Sequence, residues 1–331
     1  MATKLQSTLI TPRNLLRISL GTLALLFAGC GGQVSVVKNT PPAEKPVVKD
    51  ATRDELLDSF NAIAGSINSL NATVELKPIA GSKYSGVIEE YHEVKAFLLA
   101  ERPAYVRVIG QAPVIGTTVF DMASDGQEFR VSIPSKNKFI VGPIALERAS
   151  GKPIENLRPQ HLLDALLWPE IRKQESVLFE EFNEETARYY VLTVLRGGYQ
   201  TEILRKIWFD RSNLEVARLQ SFGPRGILLS DIHFSNWQSV DAAKPAPGAS
   251  ATASGATAVG ANQQFPRSIR IERPHDDYRL DLQIAKITLN DDIPLDRFKL
   301  DQPSGSDLIR VGDSSEENPP NQASKPQGAK Q

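Results

Sequence analysis

From Ala72 to Leu289 the chain is a succession of β-prone runs broken by turn residues, a rhythm that confines it to β-rich architectures. Ala72, Val74 and Leu76 alternate with Thr73, Glu75 and Lys77, the period-2 pattern of a strand with one buried face. Further runs cover Tyr84–Leu99, Tyr105–Ile109, Thr117–Met122 and Glu128–Ile133. A second series covers Ser176–Phe182, Ala187–Leu195, Glu202–Asp210, Glu215–Phe222, Ile227–Trp237, Ser268–Glu272 and Tyr278–Leu289. Asp125-Gly126 predicts a tight hairpin, because glycine tolerates positive φ, and Asp210-Arg211-Ser212-Asn213 is turn chemistry. Two segments follow the helical period instead. Thr52 and Glu55 form a capping box ahead of Leu56, Phe60, Ile63, Ile67 and Leu70, and Asn71 is placed to end that helix. Pro159–Trp168 is a short second helix, opened by proline and carrying Leu162, Leu163, Leu166 and Leu167. The expected fold is mainly β with two or three helices. One large curved antiparallel sheet forms an unclosed half-barrel, and helices cover its apolar face as a lid.

The N-terminus has a different character. Lys4, Arg13 and Arg17 precede an apolar run from Ile18 to Phe27, with no acidic residue before Cys30. That is the layout of a secretory signal, and the run is too short to span a bilayer. Phe27-Ala28-Gly29-Cys30 resembles the bacterial lipobox, with Phe27 where leucine is preferred. The resemblance implies cleavage before Cys30 and a diacylglycerol or acyl lipid on its thiol, with no other cofactor. By the same resemblance Gly31, where aspartate would favour retention at the inner membrane, implies the periplasmic face of the outer membrane. The organisation expected is a signal peptide over 1–29, a flexible tether over 30–50 and a folded domain over 51–302. The aromatic-free stretch 241–264, rich in Ala, Gly, Ser and Thr, is a disordered insertion, and the polar 303–331 a disordered tail.

Composition narrows the function. Lys plus Arg total 38 and Asp plus Glu 39, so the net charge of −1 lacks the basic excess of a nucleic-acid binder. One cysteine excludes an intrachain disulfide framework and a thiolate zinc cluster. No nucleophile elbow, H-E-x-x-H helix or phosphate-binding loop occurs, so no residue is assigned as catalytic. His275-Asp276-Asp277 reads as a solvated turn and not a metal site, and Glu90 with His92 as a polar strand face. What stands out is apolar. The loop Gln111–Gly116 carries Val114 and Ile115 at its tip, either tucked into the core or free to enter a membrane or a partner groove. The leucines of the second helix are either ordinary core or the underside of a lid.

Several motifs resemble those of the periplasmic lipoprotein-carrier superfamily, the LolA/LolB-like proteins, over roughly residues 52–302. They are Arg102-Pro103 with the following strand and Gln111-Ala112-Pro113; Val114-Ile115-Gly116-Thr117-Thr118; Leu157 to Pro169; and Pro266–Ile271 with Leu280 and Leu282. The order of elements agrees as well. The resemblance implies an unclosed barrel that binds acyl chains, and favours the outer-membrane receptor branch. Its partners would be membrane lipid or acylated lipoprotein cargo and a periplasmic carrier protein. By the same resemblance Arg102 matches a lid latch, and Val114 and Ile115 a membrane-inserting loop. The candidate cavity residues are Val74, Leu76, Val106, Val108, Phe120, Met122, Phe129, Val131 and Ile133, with Leu162 and Leu166 from the lid. The alternative is a non-enzymatic scaffold of an envelope complex, its cavity filled by its own side chains.

Overall fold

The computed structural model describes residues 48–82, 87–90, 92–144, 156, 158–184, 187–198, 201–240 and 263–311. Cys30, the signal segment, residues 241–262 of the insertion and the tail beyond 311 lie outside them. Helix α1 spans Arg53–Ser66, and both halves of its capping box form: Glu55 N–H donates to Thr52 Oγ1, and Thr52 N–H to Glu55 Oε2 at 2.8 Å. It ends earlier than the apolar stripe suggested. Ile67 turns extended, and Leu70 and Asn71 already belong to the first strand. The stripe runs on because helix and strand bury their residues in one core. Helix α2 spans Pro159–Leu166.

The strands are β1 (Ser69–Ser82), β2 (Val87–Glu90), β3 (Val94–Glu101), β4 (Tyr105–Gln111), β5 (Thr118–Ser124), β6 (Glu128–Ile133), β7 (Lys138–Pro143), β8 (Ser176–Asn183), β9 (Arg188–Arg196), β10 (Glu202–Asp210), β11 (Val216–Phe222), β12 (Leu228–Val240), β13 (Gln263–Arg273), β14 (Tyr278–Leu289) and β15 (Asp307–Arg310). They form one open sheet in the order β15-β7-β6-β5-β4-β3-β1-β14-β13-β12-β11-β10-β9-β8, with β2 beside β1. The sheet is antiparallel except at β15, which pairs parallel to β7, so it is mixed where an all-antiparallel sheet was expected. β15 also corrects the tail: residues 307–310 are strand, because they lie in register along the open edge of β7. At the other end of the domain Lys49 N–H donates to the Arg211 carbonyl at 2.7 Å, and Asp50 pairs with Arg211 at 3.1 Å. The tether expected to run to residue 50 is therefore fixed to the domain from Lys49. Gln263 and Gln264 pair with Val240 and Ser239, so the strand resumes two residues inside the expected insertion. The single run read over Tyr84–Leu99 is split into β2 and β3, and β7 was not foreseen.

Turn chemistry explains the hairpins. Asp125 Oδ1 accepts from the Gln127 and Glu128 amides, both at 2.9 Å, with Gly126 at φ 89°. Asp210 Oδ1 likewise accepts from Ser212 N–H at 2.7 Å. Both helices lie on one face of the sheet, and their apolar residues join it in the main core. The outer face carries two smaller ones, one around Ala123, Phe139 and Leu300 and one of Leu99, Ile293 and Phe298, both using the segment that follows β14.

Candidate functional site: the helix-covered face of the sheet

The strand registers place all nine candidate cavity residues of the sheet on its inner face. Val108 sits opposite Met122, and Met122 opposite Val131; Val106 sits opposite Ser124, and Ser124 opposite Phe129. Val74 and Leu76 follow the same parity beside Ala96 and Val94. Val74, Leu76, Val106, Val108, Met122 and Phe129 are buried, whereas Phe120, Val131 and Ile133 are half-buried. Leu162 and Leu166 of α2 are buried against them. Phe120 lies across the backbone of Gly110, where any side chain would collide with its ring.

The segment after α2 is held down by three side chains from three elements. Arg102, at the β3–β4 turn, donates to the carbonyls of Ala64 and Ile67 at the end of α1, at 2.8 and 2.9 Å, and to Trp168 O at 2.7 Å. Arg205 on β10, 7% exposed, donates to Pro169 O and Glu170 O at 2.8 Å each and pairs with Glu175. Asn61 on α1 closes a two-bond ring with the backbone of Ile171, at 3.1 and 2.7 Å. Trp168 completes the clamp, stacked on Phe60 at 5.5 Å and edge-on to Phe234 and Trp237. Desolvation lowers the pKa of both arginines, opposed by Glu170 at Arg102 and by Glu175 at Arg205. Arg102, which the resemblance matches to a latch, bonds the end of α1 and, two residues past α2, the carbonyl of Trp168. Arg205, Asn61 and Trp168 were missed, and isolated residues in separate runs offer no local signal for a shared partner.

At the start of α2 the lining turns polar. Arg158 lies over the Phe129 ring at 4.8 Å, His161 Nδ1 bonds the Tyr278 hydroxyl, and Gln160 donates to Ser124 Oγ. Burial, with Arg273 and Arg158 adding to it, pushes His161 well below its ordinary value, so the ring is neutral at pH 7. The void between α1, α2 and β12–β13, lined by Ile63, Leu166, Trp168 and Trp237, holds about 10 Å³, no more than one water. A larger cleft of about 320 Å³ lies between the β5–β6 turn and residues 295–301, lined by Tyr105, Arg130 and Phe298 among others.

Val114 and Ile115 do not tuck into the core: they are 100% and 76% exposed at the β4–β5 tip. Strand directions alternate from β4 to β10, which places this tip at one end of the sheet. The β10–β11 turn, where Lys49 enters, is at the other.

No protein-family model matches the chain, and no curated protein matches it. Among solved structures it is similar to a LolA superfamily protein from Nitrosomonas europaea, at 15% identity and TM-score 0.43, covering 76% of this chain and 99% of that one. It is also similar to a DUF1329 family protein from Desulfovibrio piger, at 13% identity and TM-score 0.45, covering 74% and 94%. A third is a domain from Vibrio parahaemolyticus named for outer membrane lipoprotein sorting, at 12% identity and TM-score 0.44, covering 74% and 95%.

Proposed function

We propose that this chain is an envelope lipoprotein, anchored through Cys30 at the outer membrane, that takes acyl chains onto the inner face of its sheet. It would act in lipoprotein or lipid sorting, without catalysis. One observation carries the reading: a broad apolar face is covered at one side by a helix of eight residues, and side-chain bonds to backbone carbonyls hold that cover down. Apolar burial is non-directional, worth about 25 cal/mol per Å², so an acyl chain can replace the leucines of α2 without specific contacts. Closure then lowers apparent affinity by the fraction of molecules that are open. The test is titration of full-length Cys30→Ala protein with a fluorescent fatty acid. Saturable binding is expected, several-fold tighter in Arg102→Leu, because three carbonyls lose their donor in the closed state, and weaker in Leu166→Glu. Absence of binding to all three proteins would refute the reading.

The scaffold reading is favoured by the packing between α1, α2 and β12–β13, where Trp168 and Phe60 stack and the void beside them is about 10 Å³. Under it Arg102→Leu loses stability and gains no ligand.

A further inference from the structure

β8 is a lateral edge of the sheet, paired with β9 and with no other strand among the described residues. The hairpin bond from Glu184 N–H to Ala187 O, at 2.8 Å, sets the alternation of its backbone. By that parity Leu178, Glu180 and Phe182 turn their N–H and C=O groups toward β9, while Val177, Phe179 and Glu181 turn theirs out of the sheet. Sheet edges in soluble proteins are blunted by brevity, proline, lysine or bulges. The opposite edge, β15, has four residues. β8 has eight, in unbroken register with β9, and contains no proline, lysine or glycine. Leu178, Phe179 and Phe182 are 52%, 39% and 40% exposed. Phe179 lies on the inner face opposite Leu192, and Leu178 and Phe182 on the outer one, so apolar surface flanks the open backbone on both sides. Between them stand two carboxylates, the exposed Glu180 and Glu181, which Arg211 engages.

We propose that β8 accepts an extended segment of another polypeptide as an added strand, with apolar residues flanking a basic centre. The open backbone supplies the hydrogen bonds, the exposed apolar side chains take the flanking residues, and Glu180, whose neighbour Glu181 is held by Arg211, selects the basic centre. A second copy of this chain is the poorer occupant. Two-fold antiparallel pairing of β8 with itself gathers two Glu180 near the middle of the ladder, and like charges across a ladder repel. The inference is independent of lipid uptake on the inner face.

The experiment uses full-length Cys30→Ala protein and two fluorescein-labelled peptides, TVRKVVT-amide and TVEEVVT-amide, read by anisotropy. The basic peptide should bind saturably, and the acidic one at least ten-fold more weakly. Val177→Pro removes one outward donor while sparing the bonds to β9, and Leu178→Lys sets a like charge beside the peptide. Each should weaken the basic peptide at least ten-fold. Leu178→Lys alters an exposed side chain and should leave the melting midpoint unchanged, so it decides the matter if Val177→Pro fails to fold. The proposal is overturned if neither peptide binds, if both bind alike, or if binding survives Leu178→Lys. It is also overturned if sedimentation velocity finds a dimer that Leu178→Lys dissolves, since the occupant is then a second copy.

Discussion

Single side chains in this protein act mostly on backbone carbonyls and on one another's charges. Arg102, Arg205 and Asn61 satisfy carbonyls of residues that no regular element would pair, so the irregular stretch after α2 carries no orphan acceptors at those positions. On the outer face Asp231, 6% exposed, accepts from Arg218 Nε at 2.7 Å and from Gln220 at 3.2 Å, and the guanidinium lies over Trp208 at 5.3 Å. Burial alone would raise the Asp231 pKa. The bonds from Arg218 and His233 outweigh it and hold the carboxyl well below the ordinary carboxylate range. A depressed carboxyl stabilises the fold in full above its unfolded value, near pH 4, and loses that contribution as pH falls through the folded value. Asp231→Asn should therefore cost about 2 kcal/mol at pH 7. The penalty should be present from pH 5 to 8 and shrink below pH 4. Urea denaturation of both proteins across that range checks it; a penalty independent of pH would show that the aspartate acts only through packing.

At the scale of elements, the β4–β5 hairpin departs most from what burial would favour. Its strands are regular, and β4 alternates between buried and half-buried positions, yet the tip exposes two aliphatic side chains. Gly116 at φ 66° shapes the turn, and Gly116 N–H and Ala112 N–H close it on the carbonyls of Ala112 and Thr117, so the tip is a defined turn. Burying one such aliphatic side chain is worth about 1.5–3 kcal/mol, a useful gain for contact with a lipid surface. Val114→Glu with Ile115→Glu should leave the melting midpoint unchanged, because neither side chain supports the core. If the tip enters lipid, the Cys30→Ala protein should co-sediment with liposomes and the triple variant should not. Equal sedimentation of the two would remove the tip from any membrane role.

For the molecule as a whole, the exposed tip and the point where the N-terminal segment joins the domain lie at opposite ends of the sheet. A lipid on Cys30 and a membrane-inserted tip in the same leaflet therefore require residues 31–48 to run the length of the domain. Eighteen residues reach at most about 60 Å. The longest strand, β1 with 14 residues, measures about 45 Å. The intact segment can span that distance, and six residues, with a reach of about 20 Å, cannot. In lipidated protein carrying Val114→Trp, the indole emission should shift to the blue on reconstitution into vesicles, and deleting residues 33–44 should abolish the shift. A shift that survives the deletion would place the tip against a different bilayer, or the anchor elsewhere.

Much of this architecture is legible in the residues themselves. The capping box of α1, the Asp125-Gly126 turn and the inner-face parity of β4, β5 and β6 rest on interactions within a few positions, where side-chain chemistry and the two-residue period of a strand suffice. Arg102 was legible only by resemblance, and nothing local shows that its guanidinium reaches Ala64, Ile67 and Trp168. The end of α1 was misread because helix and strand bury their residues in one core, so the apolar stripe does not stop where the helix does. β15 was hidden because its four polar-flanked residues become strand only beside β7. The stacking of Trp168 on Phe60, the docking of Lys49 on the β10–β11 turn and the edge that β8 forms among the described residues depend on residues far apart in the chain. The local pattern determined which side chains face the core. What they meet there was decided by the tertiary structure, because packing partners are chosen by proximity in space and not by order along the chain.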